Sequence, residues 1–246
     1  MQAISLPGDP LMQTLQALQE ALDPRLFWEY RSILLKGLLY NVLIFALAAL
    51  GATVIGFFVG TARLSSSRPA RMFASAYTEF FRNVPEYVLL VWIYYVMPVI
   101  VSKAFGTRIA FDPVPVAIAT LAITYSGYLS ETFRAGILAV PRSNIDAGMS
   151  VGMSRWLILK RIILPQAIRR MLPESINQYV SLFKSTSFVS LISIEDIMYR
   201  VSMITIQEAR PLPLYTWAAL VFCAIIIAGT QVAQRLSDSW RRRGWA

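Results

Sequence analysis

The chain has 246 residues, 56% of them hydrophobic and only 15% charged, with a formal net charge of +9. Its mean hydropathy of +0.54 is above that of soluble domains, so the excess cations are read as loops flanking apolar membrane spans and not as a nucleic-acid surface. Zero histidines and one cysteine, Cys223 inside an apolar run, argue against a metal centre and exclude a disulfide framework.

Residues 1–24 hold no Lys or Arg and no long apolar core, which is not the pattern of a signal peptide. Asp9-Pro10 reads as a helix cap followed by a first helical residue, and Leu11, Leu15, Leu18 and Leu22 recur at helical spacing. Residues 10–22 are therefore expected to form a short amphipathic helix, lying on the membrane surface or packed on its own protein. A bilayer core needs about 20 apolar helical residues. Residues 37–62, uncharged between Lys36 and Arg63, give span one, in which Gly51, Gly56 and Gly60 suit close approach of another helix. Span two is expected to start near Met72 and to carry Glu79, Arg82 and Glu86 into the uncharged stretch 87–102. Span three covers 113–130, span four 173–194 despite Glu174 and Lys184, and span five the uncharged stretch 211–234. The fold class is thus an all-α membrane protein of about five transmembrane helices.

Thirteen Lys or Arg residues fall in the loop after span one, the loop between spans three and four, and the tail, against seven on the other side. The positive-inside rule then puts the N-terminus outside and the C-terminus in the cytoplasm. Three regions follow: an interfacial segment (1–32), the membrane domain (33–236) and a basic tail (237–246), where Arg241–Arg243 reads as a headgroup anchor.

The basic elbow between spans three and four is the most informative segment. Ser143 and Asp146 form a capping-box-like pair, Gly152 stands where a left-handed C-terminal residue belongs, and Ser154 is placed to cap the next helix. Ile145, Met149 and Met153 project from the short helix as apolar anchors. Pro165 is expected to bend or break the following helix. By physics alone the favoured reading is an ordinary cytoplasmic loop with an interfacial helix.

Among intramembrane charges, Lys184 lies with Asn177, Ser181, Ser185 and Thr186 on nearby turns. This set offers a carboxylate-binding patch; otherwise Lys184 is a structural lysine paired with an acid such as Glu131. Glu79/Arg82 and Glu131/Arg134 sit at i,i+3 spacing and are expected to form local ion pairs at a gate. Trp92, Tyr94 and Tyr95 read as interfacial or packing aromatics. Gly51 and Gly56 have the gap of a phosphate-binding loop, but Phe57-Phe58 stand where Lys-Ser/Thr is required.

Four stretches in order carry a family resemblance over residues 37 to about 235. They are Tyr77-Thr78-Glu79-Phe80-Phe81-Arg82-Asn83-Val84-Pro85; Tyr128 to Ile137 with Val140-Pro141; the elbow Asp146-Ala147-Gly148 through Gly152 to Ile162-Ile163-Leu164-Pro165; and Asn177-Gln178 with Leu182 to Ser190. They resemble the permease subunits of polar amino-acid ABC importers of the histidine/arginine/opine group. Asp146 replaces the usual Glu, Gly148 replaces the second Ala, and Ser143-Asn144-Ile145 precedes them. Glycine within a helix costs about 1 kcal/mol relative to alanine, so this helix is expected to be firm only when docked.

The resemblance implies a type I importer permease fold with a short cytoplasmic coupling helix. It implies that Ser143, Ile145, Asp146, Ala147, Gly148, Met149, Gly152, Met153, Leu164 and Pro165 couple to a separate ATPase, which binds the ATP and Mg, with no cofactor in this chain. The other implied partners are a second permease, identical or paralogous, and a periplasmic substrate-binding protein, in the bacterial inner membrane. Asn177, Ser181, Lys184, Thr186 and Glu131 are the candidate substrate path. The competing function is a stand-alone channel or secondary exporter of small polar solutes. A membrane enzyme would need clustered carboxylates or histidines on one face, which the sequence does not offer.

Overall fold

The computed structural model describes residues 10–242, all helices and connecting turns with no strand among them. The elements are α1 (Pro10–Ala21), α2 (Arg25–Glu29), α3 (Arg31–Ala62), α4 (Arg68–Asn83), α5 (Glu86–Val91), α6 (Met97–Phe105), α7 (Pro113–Leu138), α8 (Arg142–Ser150), α9 (Arg155–Ile158), α10 (Leu164–Ser185), α11 (Ile197–Glu208) and α12 (Pro211–Arg242). A π turn, Trp92–Val96, joins α5 to α6, a second, Leu159–Ile163, joins α9 to α10, and a 3-10 helix, Thr186–Ile192, extends α10.

Helix α7 is the hub, packed against α3, α4, α5 and α10. Its start is fixed by Asp112, whose carboxylate accepts the Val114 N–H at 3.1 Å, with Pro113 supplying helical φ at the first turn. The glycines of α3 let α7 approach closely, as their spacing suggested. A Cβ on Gly56 would lie 3.0 Å from Leu129 Cβ, and one on Gly60 only 2.7 Å from the Ser130 carbonyl oxygen. Ile44, Ala48, Leu121, Leu129, Leu182 and Val189 form the core around this seam. The same contact disposes of Gly51 and Gly56 as a phosphate loop, since a Cβ on Gly51 would meet Ala122 of α7 and one on Gly56 would meet Leu129.

By length and composition three helical stretches among the described residues are apolar enough to cross a bilayer: Arg31–Ala62, Glu86–Phe105 and Pro211–Val232. The other two expected spans are built differently. Helix α7 has 26 residues, about 39 Å at 1.5 Å each, but it is diluted with buried hydroxyls, several of them hydrogen-bonded inside the bundle, while those of Thr120 and Thr124 have no partner among the described residues. Tyr77 and Ser126 share a hydrogen bond of 2.7 Å, Thr78 and Ser130 one of 2.9 Å, and Tyr125 and Ser185 one of 2.8 Å. It also runs eight residues past the expected end at 130.

Span four is shifted: α10 begins at Leu164, keeps Pro173 inside it, and ends at Ser185. Neither proline breaks it. Pro165 falls in its first turn directly after the π turn, which absorbs the lost donor; the expected break at 165 is replaced by a continuous helix.

Span two is also corrected. Val84 is extended (ψ 129°) before Pro85, as pre-proline sterics demand, so α4 ends at Asn83 and a separate apolar helix starts at Glu86. Glu79 and Arg82 belong to the amphipathic α4, not to the span. Residues expected as a loop between spans four and five form α11, capped by Asp196, which accepts the Tyr199 N–H at 2.8 Å.

Asp196 is fully buried, as are Asn41 and Thr186. The Asn41 amide donates to Asp196 Oδ2 at 3.0 Å and to Thr186 Oγ1 at 3.2 Å, and its oxygen accepts the Ile197 N–H at 3.2 Å. Gly37, one turn before Asn41, admits the backbone of Asp196 and Ile197, which would lie 2.7–2.8 Å from an added Cβ. The last helix is continuous to Arg242, so the basic tail starts as helix; residues 243–246 and the expected cap Asp9 lie outside the described residues.

Gly60→Val should destabilise the protein by about 1–3 kcal/mol, because backbone rather than a flexible side chain blocks the new atoms. Gly229→Ala, inside α12 with nothing within 4 Å, should instead raise the thermal midpoint in detergent slightly, by the equivalent of about 0.5–1 kcal/mol of helix propensity.

Candidate functional site: the basic elbow and a polar cavity

Helix α8 spans nine residues and starts after extended Pro141 (ψ 136°) with no side-chain cap. Ser143 is therefore inside the first turn, and the expected Ser143–Asp146 capping pair does not form. The C-terminal end follows the sequence closely. Gly152 has φ +79°, its N–H donates to the Met149 carbonyl at 3.0 Å, and the Met153 N–H donates to the Gly148 carbonyl at 3.0 Å. These are the two bonds of a Schellman closure. Ser154 then caps α9, its hydroxyl accepting the Leu157 N–H at 3.3 Å.

Gly148 lets the elbow pack closely on itself. It is buried against the next helix: an added Cβ would lie 2.7 Å from Ile162 Cδ1 and 3.2 Å from Ile158 Cγ1. The Asn144 amide donates to Gln166 Oε1 at 3.0 Å. Helix α8 is thus folded back on α9 and the π turn without a docking partner, and the propensity lost at glycine is offset by close packing. Leu164 and Pro165 belong to the first turn of α10, half-buried.

Of the expected anchors only Met149 stands out, at 52% exposed, while Ile145 and Met153 are half-buried. Asp146 and Ala147 are exposed beside it. Val151 (77%) and Trp156 (68%) are further exposed apolar side chains of the elbow. Sequence reasoning missed both as anchors; Val151 directly precedes Gly152 and Trp156 lies two residues after Ser154, and large apolar side chains this near the cap residues were the available signal.

Where α3 ends and α7 nears its own end, Glu131 accepts from Arg134 Nε at 3.1 Å and also pairs with Arg63. The expected Glu131–Arg134 pair thus exists within a triad that ties α7 to α3; Glu131 is not a partner of Lys184. Glu79 and Arg82 form no ion pair. The Asn83 amide donates to Glu79, and the Arg82 guanidinium lies 5.8 Å from the Tyr128 ring centroid.

The expected substrate set does not converge. Lys184 is exposed on a largely apolar groove of about 600 Å³ with Tyr87, Phe188, Leu191, Met198 and Phe222. Asn177 donates to Glu174 at 3.4 Å, and Thr186 is locked to Asn41. Ser181 instead lines a polar cavity of about 440 Å³ at the α4–α5 break, with Arg82, Glu86, Tyr125, Tyr128 and Gln178. Glu86 accepts from Ser185 Oγ at 2.6 Å, the Tyr128 hydroxyl donates to the Arg82 carbonyl at 3.0 Å, and Gln178 donates to Glu174 at 2.6 Å. Cation, carboxylate, phenols and amide around one space suit a small polar solute better than the apolar groove does. Tyr95 donates to the Leu191 carbonyl at 3.3 Å, and Tyr94 packs on the core. The side chains of Arg241 and Arg242 lie outside the described set.

A helical bundle with several bilayer-length helices, a polar cavity within it and an exposed elbow is the architecture of a multi-pass membrane protein. The chain belongs to the family described as binding-protein-dependent transport system inner membrane component, whose profile matches residues 52–243. It is 30% identical over 204 residues to the glutamate/aspartate import permease protein GltK of Escherichia coli O6:H1, covering 82% of this chain and 91% of that one. It is 31% identical over 177 residues to the histidine/lysine/arginine/ornithine transport system permease protein HisQ of Escherichia coli strain K12, covering 70% and 78%.

A solved structure described as an amino acid ABC transporter with histidines superposes with a TM-score of 0.76 at 27% identity, covering 90% of this chain and 99% of that chain. The MetNI methionine ABC transporter shares the fold at a TM-score of 0.61 and 17% identity.

Glu131→Gln should lower the thermal midpoint by an amount equivalent to about 1–3 kcal/mol, since it leaves two half-buried guanidinium groups facing a neutral amide. Thermal unfolding in detergent measures it.

Proposed function

We propose that the chain is the permease of an ATP-driven importer of a polar amino acid, conducting solute through its bundle and drawing energy from a separate ATPase. The names of its relatives and of the 27%-identical structure support the substrate class. The observation that carries the coupling is the elbow: a short helix clamped at Gly148 and closed at Gly152, presenting Met149, Val151 and Trp156 outward. Such a rigid body with apolar anchors fits a groove on another protein.

In this reading ATP and Mg are bound on the partner, and this subunit is not itself catalytic. A second permease, identical or paralogous, completes the pathway, and a periplasmic binding protein delivers the solute. The N-terminus faces the periplasm and the elbow the cytoplasm, in keeping with the distribution of cations. Closure of the ATPases moves residues 143–154 as a lever, and α10, continuous with α9 through the π turn, carries that movement into the bundle. The polar cavity at the α4–α5 break is this chain's section of the path, with Arg82 placed to meet a carboxylate and Ser181, Tyr125 and Gln178 supplying hydrogen bonds.

Val151→Asp, which puts an unpaired charge in place of one of these anchors, should abolish co-purification of the ATPase without affecting membrane insertion. Gly152→Val should abolish uptake while the chain still inserts, because a β-branched residue resists φ near +79°. Retention of ATPase and uptake by both variants would refute the lever. Arg82→Met should raise the KM for uptake about tenfold or more with little change in ATPase association; unchanged kinetics would remove the cavity from the path.

A further inference from the structure

Helix α1 has 12 residues, about 18 Å of helix, too short to cross a bilayer. It is barely covered by its own protein. Within it only Glu20 and Ala21 are half-buried among the described side chains, and Leu15 and Leu18, with Leu22 just beyond the helix, are each at least 50% exposed. The helix contacts α12, yet these leucines remain at least half exposed.

Its position along the bundle is nevertheless fixed. The Arg210 guanidinium, one residue before α12, lies 3.6 Å from Glu20 and 3.7 Å from Asp23. The Tyr30 hydroxyl, just before α3, donates to Glu208 at 2.6 Å, a bond that raises the Tyr30 pKa. The Arg210 pairs place the end of α1 beside the start of α12, and the Tyr30–Glu208 bond joins the start of α3 to the end of α11 close to the same point. At that level Trp28 is exposed, with the Arg31 guanidinium 5.8 Å from its ring centroid, an aromatic and a cation of the kind that mark a membrane–water boundary. Ile33, Leu35 and Leu39 continue the exposed apolar surface into α3.

We infer that the Leu15–Leu18–Leu22 face of α1 is seated in the lipid headgroup–acyl boundary, as an anchor held by apolar area alone. Residues 1–24 carry no Lys or Arg, so the attachment needs no anionic lipid, in contrast to the usual basic amphipathic anchor. The inference rests on the bilayer placement of α3 and α12 and is independent of the coupling role of the elbow.

Spin labels test it in the assembled transporter, reconstituted into pure phosphatidylcholine vesicles. In a Cys223→Ser background, Leu15→Cys, Leu18→Cys and Gln16→Cys are labelled one at a time. The ratio of oxygen to nickel-chelate accessibility should be several-fold higher at 15 and 18 than at 16. Equal ratios at all three positions would put the helix in water and overturn the proposal. Labels at 15 and 18 that are immobilised and shielded from both reagents would overturn it too, assigning the face to a second copy or another protein. A dependence of the contrast on added phosphatidylglycerol would refute the charge-free attachment.

Discussion

The seam between α3 and α7 is the constraint on which the rest of the structure depends. At Gly56 and Gly60 the two backbones are so close that no side chain fits between them. In a bilayer, where lipid tails are as apolar as leucine, association of helices rests on such packing and on interhelical hydrogen bonds, and not on hydrophobic exclusion. With α3 seated on one side, α7 keeps Thr120 and Thr124 buried without a partner among the described residues and hydrogen-bonds part of its hydroxyl set to α4 and α10. Ser126, Ser130 and Tyr125 each find a partner there. A helix rich in hydroxyls thus sits at the centre of a membrane protein, where its neighbours bury it and pair with Tyr125, Ser126 and Ser130.

That arrangement explains which parts of the architecture were legible beforehand. Uncharged runs bounded by Lys36 and Arg63, or starting at Pro211, declare themselves, and the structure places long helices there. The Gly152 and Ser154 caps were equally readable, because they depend on backbone geometry that few residues satisfy. Boundaries that depend on tertiary packing were not readable. Pro173 looked like a helix start and lies inside α10; Val84 before Pro85 looked like the middle of a span and is a break. Helix α11 was invisible as a helix because its capping acid, Asp196, is stabilised by an amide 155 residues away.

The site residues divide in the same way. The elbow is local, and most of its form followed from spacing; what spacing missed was the reason for Gly148, which is Ile162 on the returning helix. The substrate path is not local. Proximity on one helix grouped Lys184 with Thr186, Ser181 and Asn177, but Lys184 and Ser181 line different cavities and Thr186 lies beyond the α-to-3-10 transition after Ser185. Arg82 and Glu86, four residues apart across a proline break, are brought to one cavity with Ser181 by the fold and not by sequence.

The Asn41 node has a further consequence for how the bundle can deform. Thr186 ends α10, Asp196 begins α11, and a single side chain from α3 holds both. Separating these ends would strip a carboxylate and an amide of their partners in a site without water access, at about 1–3 kcal/mol for each group left unsatisfied. The far end of α10 is therefore riveted to the first transmembrane column while its near end carries the elbow. Any tilt imposed at the elbow must pivot about that rivet, so displacement grows with distance from it and is greatest at the opposite mouth of the bundle.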